Sequence, residues 1–215
     1  MTPDVWLIRH GQTEWSAGGR HTSRTDVPLT VDGEAEARAL APVLAAHDFA
    51  LVLTSPARRA RDTARLAGFP GAEVVPDLRE FDYGDIEGLT TDEVRSRGPE
   101  WADWTVWNGL CPGGESCAEV GIRAGRVLAR IETVPGDVLL FAHAHLLRIL
   151  TAVALALAPE VGARFLLDPA NVSIINRTSS AKGYRMGHVQ PVATYSFTFA
   201  RTSSGSPLAV IICTM

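Results

Sequence analysis

Short apolar runs alternate along this chain with longer stretches in which apolar residues recur every three or four positions. VWLI, at 5–8, predicts a first strand. LTVDGEAEARALAPVLAAHDF, at 29–49, predicts a helix with Thr30 as N-cap and a kink at Pro42. ALVLTS, at 50–55, predicts a second strand running straight into PARRARDTARLA, at 56–67. Ser55 is placed to cap that helix and Pro56 to take its first position. AEVV, at 72–75, predicts a weaker third strand. Thr90 with Glu93, and Ser116 with Glu119, have the spacing of capping boxes. After the second, Val120, Ala124, Val127, Leu128 and Ile131 share one helical face. DVLLFAH, at 137–143, predicts a fourth strand, and NVSII, at 171–175, a fifth.

Strands alternating with helices predict an α/β fold, a three-layer α/β/α sandwich on a mostly parallel sheet. A length of 215 residues suits one domain better than two. Residues 1–200 are expected to form it, with 201–215 as a C-terminal tail. The most apolar run, LLRILTAVALALA at 146–158, is too short to span a bilayer and carries Arg148. It predicts a buried helix and no membrane partner. The closing region holds TYSFTFA, RTSSGS and PLAVIIC. Packing on the sheet, covering the pocket and a homodimer contact are all open for it.

A net charge of −4 argues against a nucleic-acid partner and confines any anion site to a local cluster of arginines. Cys111, Cys117 and Cys213 are too few and scattered for a disulfide framework, and no Cys/His spacing suggests zinc. With no basic, apolar leader before the first strand, the expected compartment is the cytoplasm.

Parallel strands bring their carboxyl ends to one edge, where α/β sheets keep their chemistry. Arg9 and His10 follow strand one, Ser55 to Arg59 strand two, Glu80 the third and His143 the fourth. Singly, each has a bland reading. A lone histidine at a strand end is more often structural. Arg58, Arg59, Arg61 and Arg65 read as a solvated face, with Asp62 a partner for Arg58. Glu80 is one acid among several. Their convergence on one rim changes the weighing. Two arginines beside two histidines make a pocket for a dianion, and the helix after His143 turns its N-terminal amides to the same place. A neutral histidine with one ring nitrogen tied down can attack phosphorus with the other. Gly11 lets the backbone approach it closely.

LIRHGQTEW, GRHTSRTDVPLT, TSPARRARDTA, LREFDYGDIEG, PGGES and VLLFAHAHLLR occur in that order. Together they resemble the histidine phosphatase superfamily, in its phosphoglycerate mutase-like branch, over about residues 4 to 176. The resemblance implies the three-layer fold and a set of roles. His10 is the nucleophile that becomes phosphorylated; Arg9, Arg59 and His143 hold the phosphoryl group; Glu80 protonates the leaving oxygen and then activates water. Arg59 is chosen over Arg58 because it precedes Ala60 in the RAxxTA pattern. No metal or other cofactor is implied. Gly11, Thr22, Ser23, His21, Ala144 and His145 are the further candidate contacts. Ser23 and Ala144 stand where the family usually has glycine.

Three readings follow: a phosphatase for small phosphate esters, a phosphoglycerate mutase, and a binder without turnover. A mutase needs further basic residues after the acid loop. TTDEVRSRGPEWADWTVWNGLCPGGES has two arginines near its start, no lysine and three tryptophans, which favours the phosphatase. Its motifs resemble the acid phosphatase and sedoheptulose-bisphosphatase-like group, which points to a sugar phosphate, with a nucleotide or another ester left open. Trp101, Trp104 and Trp107 suit packing or stacking on a sugar. His47 and His188 have no chemical context.

Overall fold

The computed structural model describes residues 3–109, 111–178 and 183–186. The 200/201 boundary, His188, Cys213 and the segments TYSFTFA and PLAVIIC lie outside them. Six strands form one sheet in the order β3-β2-β4-β1-β5-β6. They are β1 (Asp4–Arg9), β2 (Phe49–Thr54), β3 (Glu73–Val74), β4 (Asp137–Ala142), β5 (Val172–Thr178) and β6 (Gly183–Met186). The pairs β1/β4, β2/β4 and β2/β3 are parallel, whereas β5 runs antiparallel to β1 and β6 antiparallel to β5. The third strand is two residues long, shorter than the AEVV run predicted.

Seven helices connect and cover these strands among the described residues: α1 (Glu14–Ala17), α2 (Val31–Ala39), α3 (Ala41–Leu44), α4 (Arg58–Leu66), α5 (Thr91–Arg95), α6 (Cys117–Glu132) and α7 (Ala144–Ala154). Alternation in β1 and β4 sorts the core into two layers. Val5, Leu7, Val138 and Leu140 pack with Val120, Ala124, Val127 and Ile131 of α6 and Leu146, Leu147 and Leu150 of α7. Trp6, Ile8, Leu139 and Phe141 pack with Leu40, Leu44 and Ala64 on the other face. Both faces of the central strands are therefore dry, which is why they read as unbroken apolar runs. No helix among the described residues is long and apolar enough to cross a membrane.

Pro42 divides the predicted 29–49 helix into α2 and α3, and Thr30, Thr90 and Ser116 cap as expected. The helix after β4 starts at Ala144, two residues before its apolar run, and ends at Ala154. The α4 start departs from expectation. Its N-cap position is Ala57, without a side-chain cap. The Asp26 carboxylate instead accepts the Arg58 N–H at 2.8 Å, and the Ser55 hydroxyl accepts the Ala57 N–H at 3.2 Å. Ser55 is drawn away because it also meets His143.

Candidate active site

Register puts the two histidines together. Arg9 lies opposite Ala142 in the β1/β4 pair, so the next residues, His10 and His143, leave the sheet side by side. Their ring centroids are 5.1 Å apart. The His10 Nδ1 lies 2.8 Å from the Gly11 carbonyl, which can only accept, so Nδ1 carries the hydrogen and Nε2 keeps its lone pair. Burial, followed by the charges of Arg59 and Arg9, holds His10 well below the usual histidine range. The result is a neutral imidazole with a free Nε2 among cations.

Gly11 serves this geometry differently from the sequence reading. A Cβ there would run into the backbone of Gly33 in α2, and a Cβ on Gly33 into the backbone of Gln12. The two glycines thus let the loop after His10 lie against a helix. Thr63 fixes the same loop from α4: its hydroxyl accepts the Gly11 N–H at 3.0 Å and donates to the Arg59 carbonyl at 2.7 Å.

Arg59 is fully buried. Its guanidinium donates to the carbonyls of Thr22 and Thr25, both at 3.1 Å, and of Ser23 at 3.4 Å. Arg9 donates to the Leu167 carbonyl at 2.7 Å. His143 Nε2 is 2.7 Å from the Ser55 hydroxyl, which can donate to it or accept from it, and Nδ1 has no partner. Among the described residues the buried side-chain atoms without a partner include Arg9 Nε, Arg59 Nε and His143 Nδ1. The two arginine N–H groups are orphaned donors beside a neutral histidine, costly at about 1–3 kcal/mol each unless an anion completes them, and a proton on His143 Nδ1 adds a third. Burial lowers the pKa of both arginines, and Glu80 is the first charge opposing that shift in each.

Glu80 lies on the N-terminus of α7. Its Oε1 accepts the Phe81 and Leu146 N–H groups at 2.8 and 2.9 Å, and its Oε2 the His145 N–H at 3.2 Å. Burial raises the carboxyl above the usual range against those bonds. The less engaged Oε2 is the natural seat for a transferable proton.

A cavity of about 290 Å³ is lined by Arg9, His10 and Glu80. His21, Thr22, Tyr83, Ala144 and His145 also line it, as do Arg20, Arg148, Leu166 and Asp168. The Tyr83 hydroxyl meets His145 Nδ1 at 2.7 Å. The rings of Trp104 and Trp107 lie 5.4 and 5.1 Å from those of His21 and His145. Those two tryptophans therefore back the cavity wall rather than face its contents. Ser23 stands elsewhere: its backbone and hydroxyl bond the Glu87 carboxylate, and it borders a neighbouring cavity with Glu80. Glu87 also accepts the Thr25 N–H at 2.9 Å, so it braces the 22–25 loop that Arg59 holds from the other side. Arg58 is exposed and paired with Asp62, as expected. His47 packs its ring on Trp6 at 4.3 Å, away from the site.

Thr63, Glu87, the buried Arg123 and the partly buried Glu115 were not singled out from sequence. The TA of RAxxTA and the E of PGGES were the signals available for two of them. Among the described residues no group of three or more His, Cys, Asp or Glu side chains is arranged to hold a metal ion.

The profile of the histidine phosphatase superfamily (branch 1) matches residues 5–186. An acid phosphatase of Mycobacterium tuberculosis is 39% identical over 195 residues, covering 87% of this chain and 95% of its own. A sedoheptulose 1,7-bisphosphatase of Saccharomyces cerevisiae is 36% identical over 71% of this chain and 68% of its own. A 2,3-bisphosphoglycerate-dependent phosphoglycerate mutase of Gloeobacter violaceus is 35% identical over 72% and 76%.

Proposed function

This chain belongs to the histidine phosphatase superfamily (branch 1), and we propose that it hydrolyses a small phosphorylated metabolite, a sugar phosphate foremost, through a phosphoryl group carried on His10. It is an enzyme acting on phosphate monoesters. The observation that carries the mechanism is the set of unpartnered buried nitrogens, Arg9 Nε, Arg59 Nε and His143 Nδ1, on the side chains that neighbour a neutral His10.

In the first half-reaction His10 Nε2 forms a bond to phosphorus as the ester P–O bond breaks. Arginines and histidine donors hold the charge on the equatorial oxygens, and the Glu80 proton goes to the leaving oxygen. In the second, the Glu80 carboxylate takes a proton from water as that water attacks phosphorus. The P–N bond breaks, phosphate leaves and His10 is neutral again.

Two features support a sugar monophosphate over a mutase substrate. The cavity lining offers the flat rings of His21, Tyr83 and His145 together with the Thr22 side chain. The outer cations are already engaged. Arg20 pairs with Glu93 at 3.0 Å, while Arg148 donates to the Gly162 and Ala163 carbonyls and stands over Trp107. Of the two arginines after α5's start, Arg95 bonds the Trp104 carbonyl and Arg97 that of Asp85. A second anionic group finds no waiting cation among them.

The test is a panel of sugar phosphates, nucleotides and glycerate phosphates with phosphate release as readout, run on the parent and on His10→Ala. Denaturation in base should trap a phosphoryl-enzyme that acid destroys, and His10→Ala should lose both it and turnover by at least about a thousandfold. Parent-level turnover by His10→Ala, or conversion of 3-phosphoglycerate to its 2-isomer faster than phosphate release, overturns the reading.

A further inference from the structure

Arg123, in the middle of α6, is 1% exposed and does not line the catalytic cavity. A guanidinium has five N–H donors, and here all five are used. Nε and Nη2 grip the two Glu115 oxygens, each at 3.0 Å. Nη1 donates to the carbonyls of Asp77 at 2.8 Å and Arg79 at 2.6 Å, and Nη2 also to that of Glu80 at 3.0 Å. Three carbonyls within four residues thus point at one side chain. The stretch they belong to is irregular: a 3-10 turn ends at Leu78, and no strand follows before Glu80.

Glu115 extends the hold past the acid. Its Oε1 accepts from Arg79 at 2.7 Å and its Oε2 accepts the Asp82 N–H at 3.0 Å. The loops also meet backbone to backbone, since a Cβ on Gly114 would strike the Asp82 carbonyl and one on Gly84 the Pro112 carbonyl. Glu115 is not part of the α6 capping box, which Ser116 and Glu119 complete between themselves.

We propose that the Arg123–Glu115 pair is the positioning device of the general acid: it fixes the Glu80 backbone from α6 while α7 fixes the Glu80 carboxylate. This rests on the acid–base role given to Glu80 above. A buried charge pair seldom repays its desolvation as stability alone, and the directed use here is to hold an irregular loop in one register. Arg123 and Glu115 are positioning residues and touch no reacting atom. Lysine cannot replace the fork, because a point charge with three donors cannot meet three carbonyls and a bidentate carboxylate together.

The test compares kcat/KM for glycerol phosphate, whose alkoxide needs the Glu80 proton, with that for p-nitrophenyl phosphate, whose phenolate does not. Parent, Arg123→Lys, Glu115→Gln and Glu80→Gln are assayed together. Arg123→Lys and Glu115→Gln should each lose at least tenfold more on the alkyl ester than on the aryl ester, with base-stable phosphoryl-enzyme still formed from the latter. If Arg123→Lys does not fold, Glu115→Gln, which keeps size and shape at a partly open position, carries the comparison. Equal losses on both esters, or a lowered Tm with rates unchanged, make the pair a structural brace and overturn the proposal. Glu80→Gln separates the two layers of inference. If it too shows no split, the acid assignment itself falls; if it splits and the pair's variants do not, the positioning role alone falls.

Discussion

The His10 and His143 rings meet at 64°, each with one nitrogen tied by a neighbour: His10 Nδ1 by the Gly11 carbonyl, His143 Nε2 by the Ser55 hydroxyl. Burial first, and then the Arg59 charge, holds both well below the usual histidine range. Positive charge in the site therefore belongs to the arginines, and His10 stays uncharged. A proton taken up by His10 would cost it the lone pair that the proposed attack on phosphorus requires.

Arg58 and Arg59 are adjacent in sequence and should behave oppositely. Arg59→Ala removes an orphaned donor and frees the Thr22, Ser23 and Thr25 carbonyls, so kcat/KM should fall at least about a hundredfold. Arg58 is exposed, and its pair with Asp62 is of the kind worth about 0.3–0.5 kcal/mol. Arg58→Ala should leave turnover within about twofold. Steady-state kinetics on one good substrate decides it, and matching losses would reassign the phosphate clamp.

Ala144 is the first residue of α7, and the described non-glycine residues with positive φ are Ala156 and Ala170. Its alanine is unstrained. Ala144→Gly should cost roughly 0.5–1 kcal/mol of helix stability, a drop in Tm of about 1–4 °C. Turnover should stay within about threefold across the substrate panel. A tenfold gain would mean that the methyl obstructs the phosphate.

The buried histidines set an acid limit on stability. His10, His143 and His145 are held well below 6.5 by burial, and His21 is lowered as well. Unfolded, they titrate near 6.5. Below that value the unfolded chain binds more protons than the folded one, so stability falls as pH falls. Glu80, raised from 4.5, acts in the opposite sense, but it is one group against four. Tm should be level from pH 8 to 7 and decline from about pH 6.5 to 5. A Tm that rises toward pH 5 contradicts the neutral histidines.

The parts that sequence revealed are those fixed by local chemistry. Capping at Thr30, Thr90 and Ser116 needs only a side chain and the turn that follows it. Strand ends carrying Arg9, His10 and His143 were legible because apolar runs stop there. What stayed hidden was decided by distant partners. Ser55 looks like a helix cap but faces His143, and the cap comes from Asp26 in another loop. Arg123 sits among the charged residues of an amphipathic helix, and nothing local marks it as buried. Gly11 and Gly33 are needed for each other, across a contact that neither's neighbours announce. The antiparallel run of β5 follows from its return alongside β1, which periodicity does not record.

Strand order has a consequence for how the molecule comes into being. β4 lies between β1 and β2, yet it is made after both. On a ribosome, the chain through residue 136 holds His10, Arg59 and Glu80 but has a gap where the centre of the sheet belongs. Collapse of the helices cannot close that gap, because the pairing it needs is long-range and slow to form. The nascent chain is therefore expected to be inactive until 137–142 pairs between β1 and β2 and brings His143 beside His10. In a refolding experiment, activity is expected to return no sooner than β4 pairs with β1 and β2.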